Sequence, residues 1–283
     1  MIFSLSAIAC DRTGHRSDTA MPAPDITDLQ MNPDLQQVFA RRREALLDTI
    51  GNGLLMLRSG YGSAGGGGEY GVSSNFWYLT GYDQPGGLMS LDGSSEKPYI
   101  LYTRERSIRD IIYSGNLPDP AELIKTWAPD TVMDYGEADR VIAEAARAGR
   151  PVYIDYRDRE FRAHVSGITE AEKVPGSLIR DIAPALSEMR VLKDDNEVRM
   201  LQKAVDITGE GIEAVLSGCR PGMYEFEIEA LLGYMWRRNG SSGPGFGSIV
   251  GSGENAVTLH YSANNRMMEE GLENEARSLL PYR

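Results

Sequence analysis

The sequence predicts an α/β protein, and two observations carry that reading. Short apolar runs with strand character alternate with amphipathic stretches of helical spacing across residues 30–180. Near Ser177 the pattern changes to two long helical stretches separated by Cys219-Arg-Pro-Gly222. A chain of 283 residues has room for about two domains.

The elements follow in order. Asn32-Pro33-Asp34 opens an amphipathic stretch from Leu35 to Ile50, with Leu35, Val38, Phe39, Leu46 and Leu47 at helical spacing. Gly51 and Gly53 end it, and Leu54–Leu57 reads as a buried strand. A glycine-rich loop follows from Gly60 to Gly71. Strand-like runs recur at Phe76–Leu79, Gly87–Leu91, Tyr99–Thr103 and Val152–Asp155. Helical stretches fall near Arg104–Ser114, Pro120–Trp127 and Ala138–Ala148.

Beyond Ser177, Leu178–Met189 reads as helical and Arg190–Lys193 as a short connector. Asp194 and Glu197 stand at capping-box spacing, so a long helix is expected next. Its apolar face would carry Val198, Leu201, Val205, Ile212, Val215 and Leu216. A second helix is expected from Tyr224 to Arg238. Glu225, Glu227 and Glu229 lie at its start and Arg237 and Arg238 at its end, as the helix dipole favours. Ser248–Val250, a tight turn at Gly251-Ser-Gly253, and Ala256–Tyr261 together suggest a hairpin.

Composition excludes some functions. A net charge of -12 repels phosphate backbones and argues against nucleic-acid binding. No apolar run reaches the roughly 20 residues of a membrane-spanning helix. Two cysteines, Cys10 and Cys219, are too few for a disulfide framework or a cysteine-based zinc site. The segment Met1–Cys10 is apolar and ends in small residues before a cysteine, like the tail of a bacterial lipoprotein signal, although no Lys or Arg precedes Cys10. Two readings stand. Either Cys10 carries a lipid anchor on an exported protein, or Met21 is the true start of a cytoplasmic one. Residues 11–30 read as a polar tether that includes His15.

Several motifs invite a cofactor and are set aside. Gly65–Gly68 lacks the Gly-Lys-Ser or Gly-Lys-Thr of a phosphate-binding loop. Gly251-Ser-Gly253-Glu-Asn-Ala256 matches a dinucleotide fingerprint in letters, but Ala256–His260 reads as a strand where that fingerprint requires a helix. The three histidines form no His-Glu-x-x-His motif. His164 reads as structural or solvated. His260 alone would read as a structural histidine.

An ordered set of motifs changes the reading of His260. Arg220-Pro221-Gly222-Met223-x-Glu225 is followed by Ile249-Val-Gly-Ser-Gly-Glu-Asn-Ala256 and then by Leu259-His260-Tyr261. This set resembles the start of the pita-bread catalytic domain of aminopeptidase P, shared with prolidase and creatinase. Arg190-x-x-Lys193-x-x-x-Glu197 is similar to that family's inter-domain junction. Phe39-x-Arg41-Arg42 and Asn75-Phe76-Trp77-Tyr78-Leu79-Thr80-Gly81 resemble its N-terminal domain. The likeness spans about residues 35–271 and favours aminopeptidase P over prolidase.

The resemblance implies a creatinase-like mixed-sheet domain followed by the incomplete first part of a pita-bread α+β domain. The expected divisions are a signal-like or disordered tail at 1–30, the N-terminal domain at 31–180, the partial catalytic domain at 181–271 and an unmatched tail at 272–283. The implied activity is removal of an N-terminal residue preceding proline, on peptides with proline second. The implied cofactor is a pair of divalent metals, usually manganese. His260 is the implied catalytic residue, donating a hydrogen bond to the substrate or the tetrahedral intermediate. Homo-oligomers are common in the family.

The family's metal ligands are two Asp, one His and two Glu downstream of Leu-His-Tyr. No Asp follows Asp206 and no His follows His260 in this sequence. Glu273 and Glu275 read as solvated, so no ligand is assigned and no metal is expected in the chain as given. Residues 272–283 would be read out of register in a truncated or frame-shifted coding sequence. The alternative is a non-catalytic peptide- or protein-binding module with the creatinase-like fold.

Overall fold

A computed structural model describes residues 33–60, 73–84, 86–270 and 274–277. The tail with Cys10 and His15, most of the Gly60–Gly71 loop, Glu273 and the side chain of Glu275 lie outside the described residues. The chain divides into two compact units, with the boundary between Lys193 and Asp194.

The first unit is built on a six-stranded sheet. Its strands are β1 (Leu54–Arg58), β2 (Leu88–Asp92), β3 (Tyr99–Thr103), β4 (Thr131–Asp134), β5 (Val152–Ile154) and β6 (Ile179–Asp181). The spatial order is β4-β3-β2-β1-β5-β6. The β1–β2 and β2–β3 pairs are antiparallel, while β1–β5, β3–β4 and β5–β6 are parallel. Helices cover both faces, so β1 is apolar from Leu54 to Leu57 rather than alternating with polar residues.

The pleat sends successive β1 side chains to opposite faces. Leu55 and Leu57 join Leu46 and Ile50 of α1 (Pro33–Ile50) and Phe76 and Leu79 of α2 (Ser74–Thr80). The same layer takes Leu123 of α4 (Pro120–Trp127) and Leu186 of α7 (Ala183–Met189). Leu54 and Met56 pack instead with Ile142 of α5 (Ala138–Arg147) and with Phe161 and Val165 of α6 (Arg159–Ala171). A short exposed helix, α3 (Ile108–Ser114), begins with a Ser107–Asp110 capping box.

Four local expectations fail in instructive ways. Phe76–Leu79 is helical rather than extended. Gly81 closes α2 in the left-handed region at φ 64, its N–H bonded to the Trp77 carbonyl, and Thr80 Oγ1 donates to the Phe76 carbonyl at 2.9 Å. Arg42 and Arg43 of α1 also donate to the freed Tyr78 and Leu79 carbonyls, at 3.1 and 2.8 Å. Those carbonyls at the helix end have no partner within α2, and two buried guanidinium groups supply one. Residues 179–181 form an edge strand, so the expected Leu178–Met189 helix starts only at Ala183. The strand β4 and the helix α6 are additions that the sequence reading left unassigned.

The third difference is in the second unit. Its helices are α8 (Asp195–Gly218), opened by the expected Asp194–Glu197 capping box, and α9 (Glu225–Arg238). The buried face of α8 carries Ala204, Ile207, Gly211 and Val215, while Val198, Leu201, Val205 and Leu216 are exposed. Gly211 decides the rotation: a Cβ there would sit 3.0 Å from the indole nitrogen of Trp236. The large ring of α9 needs the notch that a glycine leaves, and the face that carries Gly211 therefore turns inward. Ile207, Val215, Ile228, Leu232, Trp236, Val250 and Met268 make this unit's core.

The fourth difference is the expected hairpin. β7 (Ile249–Ser252) pairs antiparallel with β8 (Asn274–Arg277). Gly253–Val257 is a 3₁₀ turn, and residues 258–261 form no strand.

Candidate functional site

The second unit presents a loop held by two carboxylates on one face of α9. Glu225 and Glu229 are four residues apart, so they lie one above the other. Glu225 is fully buried. Its Oε1 accepts from the Ser252 N–H at 2.6 Å and Ser252 Oγ at 2.7 Å, with Asn255 Nδ2 at 3.4 Å. Its Oε2 accepts from the Tyr261 hydroxyl at 2.7 Å and the Arg266 N–H at 2.9 Å. Burial alone would raise its pKa, but these hydrogen bonds favour the charged form and hold it below the ordinary glutamate value.

Glu229 holds the other end of the loop through Asn264. The Asn264 amide donates to Glu229 at 2.9 Å and to the Ser248 carbonyl at 3.0 Å, and its oxygen accepts from the Val250 N–H at 3.0 Å. Asn264 is buried and takes φ 44, a left-handed conformation that asparagine tolerates better than most residues. Gly251 is required by contact, since a Cβ would lie 2.8 Å from the Asn255 carbonyl oxygen. These polar anchors explain why no hairpin forms. Ser252, Asn255 and Tyr261 are bound to a helix carboxylate rather than to each other across a ladder.

His260 lies in a turn on this loop and is exposed, as are Val257 and Leu259. It is free of the core and directly precedes the anchored Tyr261. His164 belongs to the first unit, where its Nε2 stands 2.7 Å from Asp139 between α6 and α5, half exposed. Sequence reading singled out His260 but missed the roles of Glu225, Glu229 and Asn264. An acidic residue in the first turn of a helix reads as dipole compensation, and only contacts reveal that it is buried.

The first unit has a cleft of about 430 Å³ at the ends of β1 and β5, lined by Arg58, Ser74, Asp155, Arg157 and Asp158 among others. Its charges are internally matched. Arg58 grips Asp158 with two bonds at 2.5 and 2.6 Å and reaches Glu160 at 2.7 Å, which raises its pKa above the ordinary value. Asp155 accepts from Arg157 and from Asn75, and Asn75 accepts from Arg190 at 2.9 Å. Burial opposes ionisation of Asp155, yet these donors keep its pKa lowered.

No group of three or more His, Cys, Asp or Glu that could hold a metal ion occurs among the described residues. The buried carboxylate of Glu225 and its neighbour Glu229 are already engaged as hydrogen-bond acceptors. The described residues therefore do not fit a divalent-metal pair.

Comparison with known proteins places this architecture. The model described as "Aminopeptidase P, N-terminal domain" matches residues 39–153, and "Metallopeptidase family M24" matches residues 199–272. The Xaa-Pro aminopeptidase of Escherichia coli (strain K12) is 27% identical over 251 residues, covering 83% of this chain and 57% of the relative. That of Haemophilus influenzae is 30% identical over 210 residues, covering 70% of this chain and 46% of the relative. The structure of Pseudomonas aeruginosa aminopeptidase PepP superposes with a TM-score of 0.76 at 25% identity, covering 87% of this chain and 59% of that one. Aminopeptidase P from E. coli in a low-pH form gives 0.73 at 25%, covering 86% and 59%.

A mixed-sheet domain followed by the helices and loop of a partial pita-bread domain is an architecture that this chain shares with the corresponding part of the aminopeptidase P structures. This chain belongs to the aminopeptidase P family and spans about half the length of the relatives it matches.

Proposed function

We propose that this chain carries the N-terminal domain and the first part of the catalytic domain of an Xaa-Pro aminopeptidase. The observation that supports this most is the pair of family matches, in order along one chain. The substrates are peptides with proline at the second position, as the relatives' names indicate for those proteins. Membership of a metallopeptidase family implies divalent metals. Manganese is the proposed metal, and no group of three or more His, Cys, Asp or Glu that could hold it occurs among the described residues.

His260 is the residue of this chain proposed to touch substrate. An exposed imidazole on an anchored loop can donate an N–H to a carbonyl oxygen as that oxygen gains negative charge. A donor whose bond strengthens in the transition state raises kcat more than it lowers KM.

The test has two parts. An Asp-x-Gly…Asp pattern in any frame of the DNA downstream of residue 271 supports the reading. The polypeptide extended through that pattern should release the first residue from an Xaa-Pro peptide and not from the matching Xaa-Ala peptide. Absence of the pattern in all frames would sink the reading in favour of a binding module.

A further inference from the structure

We propose that Glu225 is a positioning residue for His260, acting through Tyr261. The inference deepens the role proposed for His260, but its geometry stands independently of that role.

Glu225 gathers donors from both ends of one loop. Ser252 and Asn255 lie on the entry side and Tyr261 and Arg266 on the exit side. Residues 253–260 between them make no strand ladder. Besides the 3₁₀ turn at Gly253–Val257, the loop tip has the backbone bonds Thr258 N–H to the Asn255 carbonyl at 3.1 Å and Tyr261 N–H to the Thr258 carbonyl at 3.4 Å. Apolar packing does not hold the tip either, since Val257 is 83% and Leu259 67% exposed. The Tyr261 hydroxyl is thus the polar anchor next in sequence to His260, and it ends on Glu225. Its other contacts are Asn265 Oδ1 at 3.2 Å and the Asn265 N–H at 3.3 Å.

The chemistry of the acceptor matters. Each carboxylate oxygen faces donors, so neither can be replaced by an amide nitrogen without setting N–H against N–H or O–H. Glutamine at 225 would therefore surrender one end of the loop, and aspartate would fall short by one methylene. Glu229 also holds Asn264 beyond Tyr261, so part of the loop keeps its anchor when 225 is changed.

The experiment uses the full chain and the imidazole Cε1–H signals in NMR spectra. Only three histidines occur, and single His→Gln variants assign them. Tyr261→Phe removes the link while leaving Ser252 and Arg266 on Glu225. It should shift the His260 signal and speed amide exchange at 258–262 by about ten- to a hundredfold, the factor for losing one hydrogen bond to a charged group. The Ser252 amide, the His164 signal and the global unfolding midpoint should hold. Glu225→Gln should reproduce the His260 shift and also release Ser252 or Arg266. A purely structural Glu225 would lower the midpoint with Tyr261→Phe silent at His260, and that result overturns the proposal. Normal kcat in an extended His260→Ala enzyme would remove the role of His260 yet leave this coupling intact, so the two failures are distinguishable.

Discussion

The Tyr261 hydroxyl donates to Glu225 Oε2 at 2.7 Å, joining a residue at the tip of a loop to the first turn of a helix 36 positions earlier. A fully buried carboxylate is costly unless its oxygens are satisfied, and here every strong acceptor direction is used. The loop that carries His260 is therefore as stable as the ionised state of one glutamate.

That dependence predicts acid sensitivity of the second unit. Glu225 has a folded pKa below its ordinary value of 4.5. Its contribution is fully present above the ordinary value and is lost as pH falls through the lowered folded value. Unfolding followed by Trp236 fluorescence, with Trp77 and Trp127 replaced by Phe, should show stability falling below about pH 4.5. In Glu225→Gln that part of the pH dependence should vanish. An unchanged profile would mean that other carboxylates control the transition.

The extended enzyme tests His260. His260→Ala should lower kcat on the order of 100- to 1000-fold, the usual cost of one oxyanion donor, with metal content unchanged. His164→Ala, at a half-exposed pair with Asp139, should leave the chemical step alone. Steady-state kinetics with metal analysis decide the matter. Loss of metal from the His260 variant would assign it a different role.

Arg43 should be a stability determinant of the first unit. Its guanidinium donates to the Leu79 carbonyl at 2.8 Å and lies 4.0 Å over the Tyr99 ring. Burial lowers its pKa, although Tyr99 and Asp130 oppose the shift. Arg43→Ala strands a helix-end carbonyl and should cost on the order of 1–3 kcal/mol in urea unfolding. Arg43→Lys should recover little, because an ammonium cannot lie flat on the ring as a guanidinium does. Recovery of wild-type stability by lysine would refute the planar contact.

Limited trypsin digestion should first cut the exposed connector between the units. Val191 and Leu192 are 58% and 83% exposed, beside Arg190 and Lys193. The resistant fragment should end at one of those two residues, because the first unit has two core layers on one sheet and the second has one small cluster. A fragment covering 196–271 that survives equally long would contradict this ranking.

The sequence by itself determined the alternation of strands and helices in the first unit, the capping box at Asp194–Glu197 and the candidacy of His260. These features rest on local periodicity and motif order, which a linear reading captures. Tertiary structure alone decided that Phe76–Leu79 coils into a helix capped by Gly81, because aromatic runs satisfy either period. It also decided which face of α8 turns inward, since the pocket for Trp236 is a glycine and glycine carries no hydrophobic signal. Ala256–Tyr261 forms a tethered loop rather than a strand for the same kind of reason. Its Tyr261 hydroxyl bonds to Glu225, a partner 36 residues away, and no local pattern records a contact made at that distance.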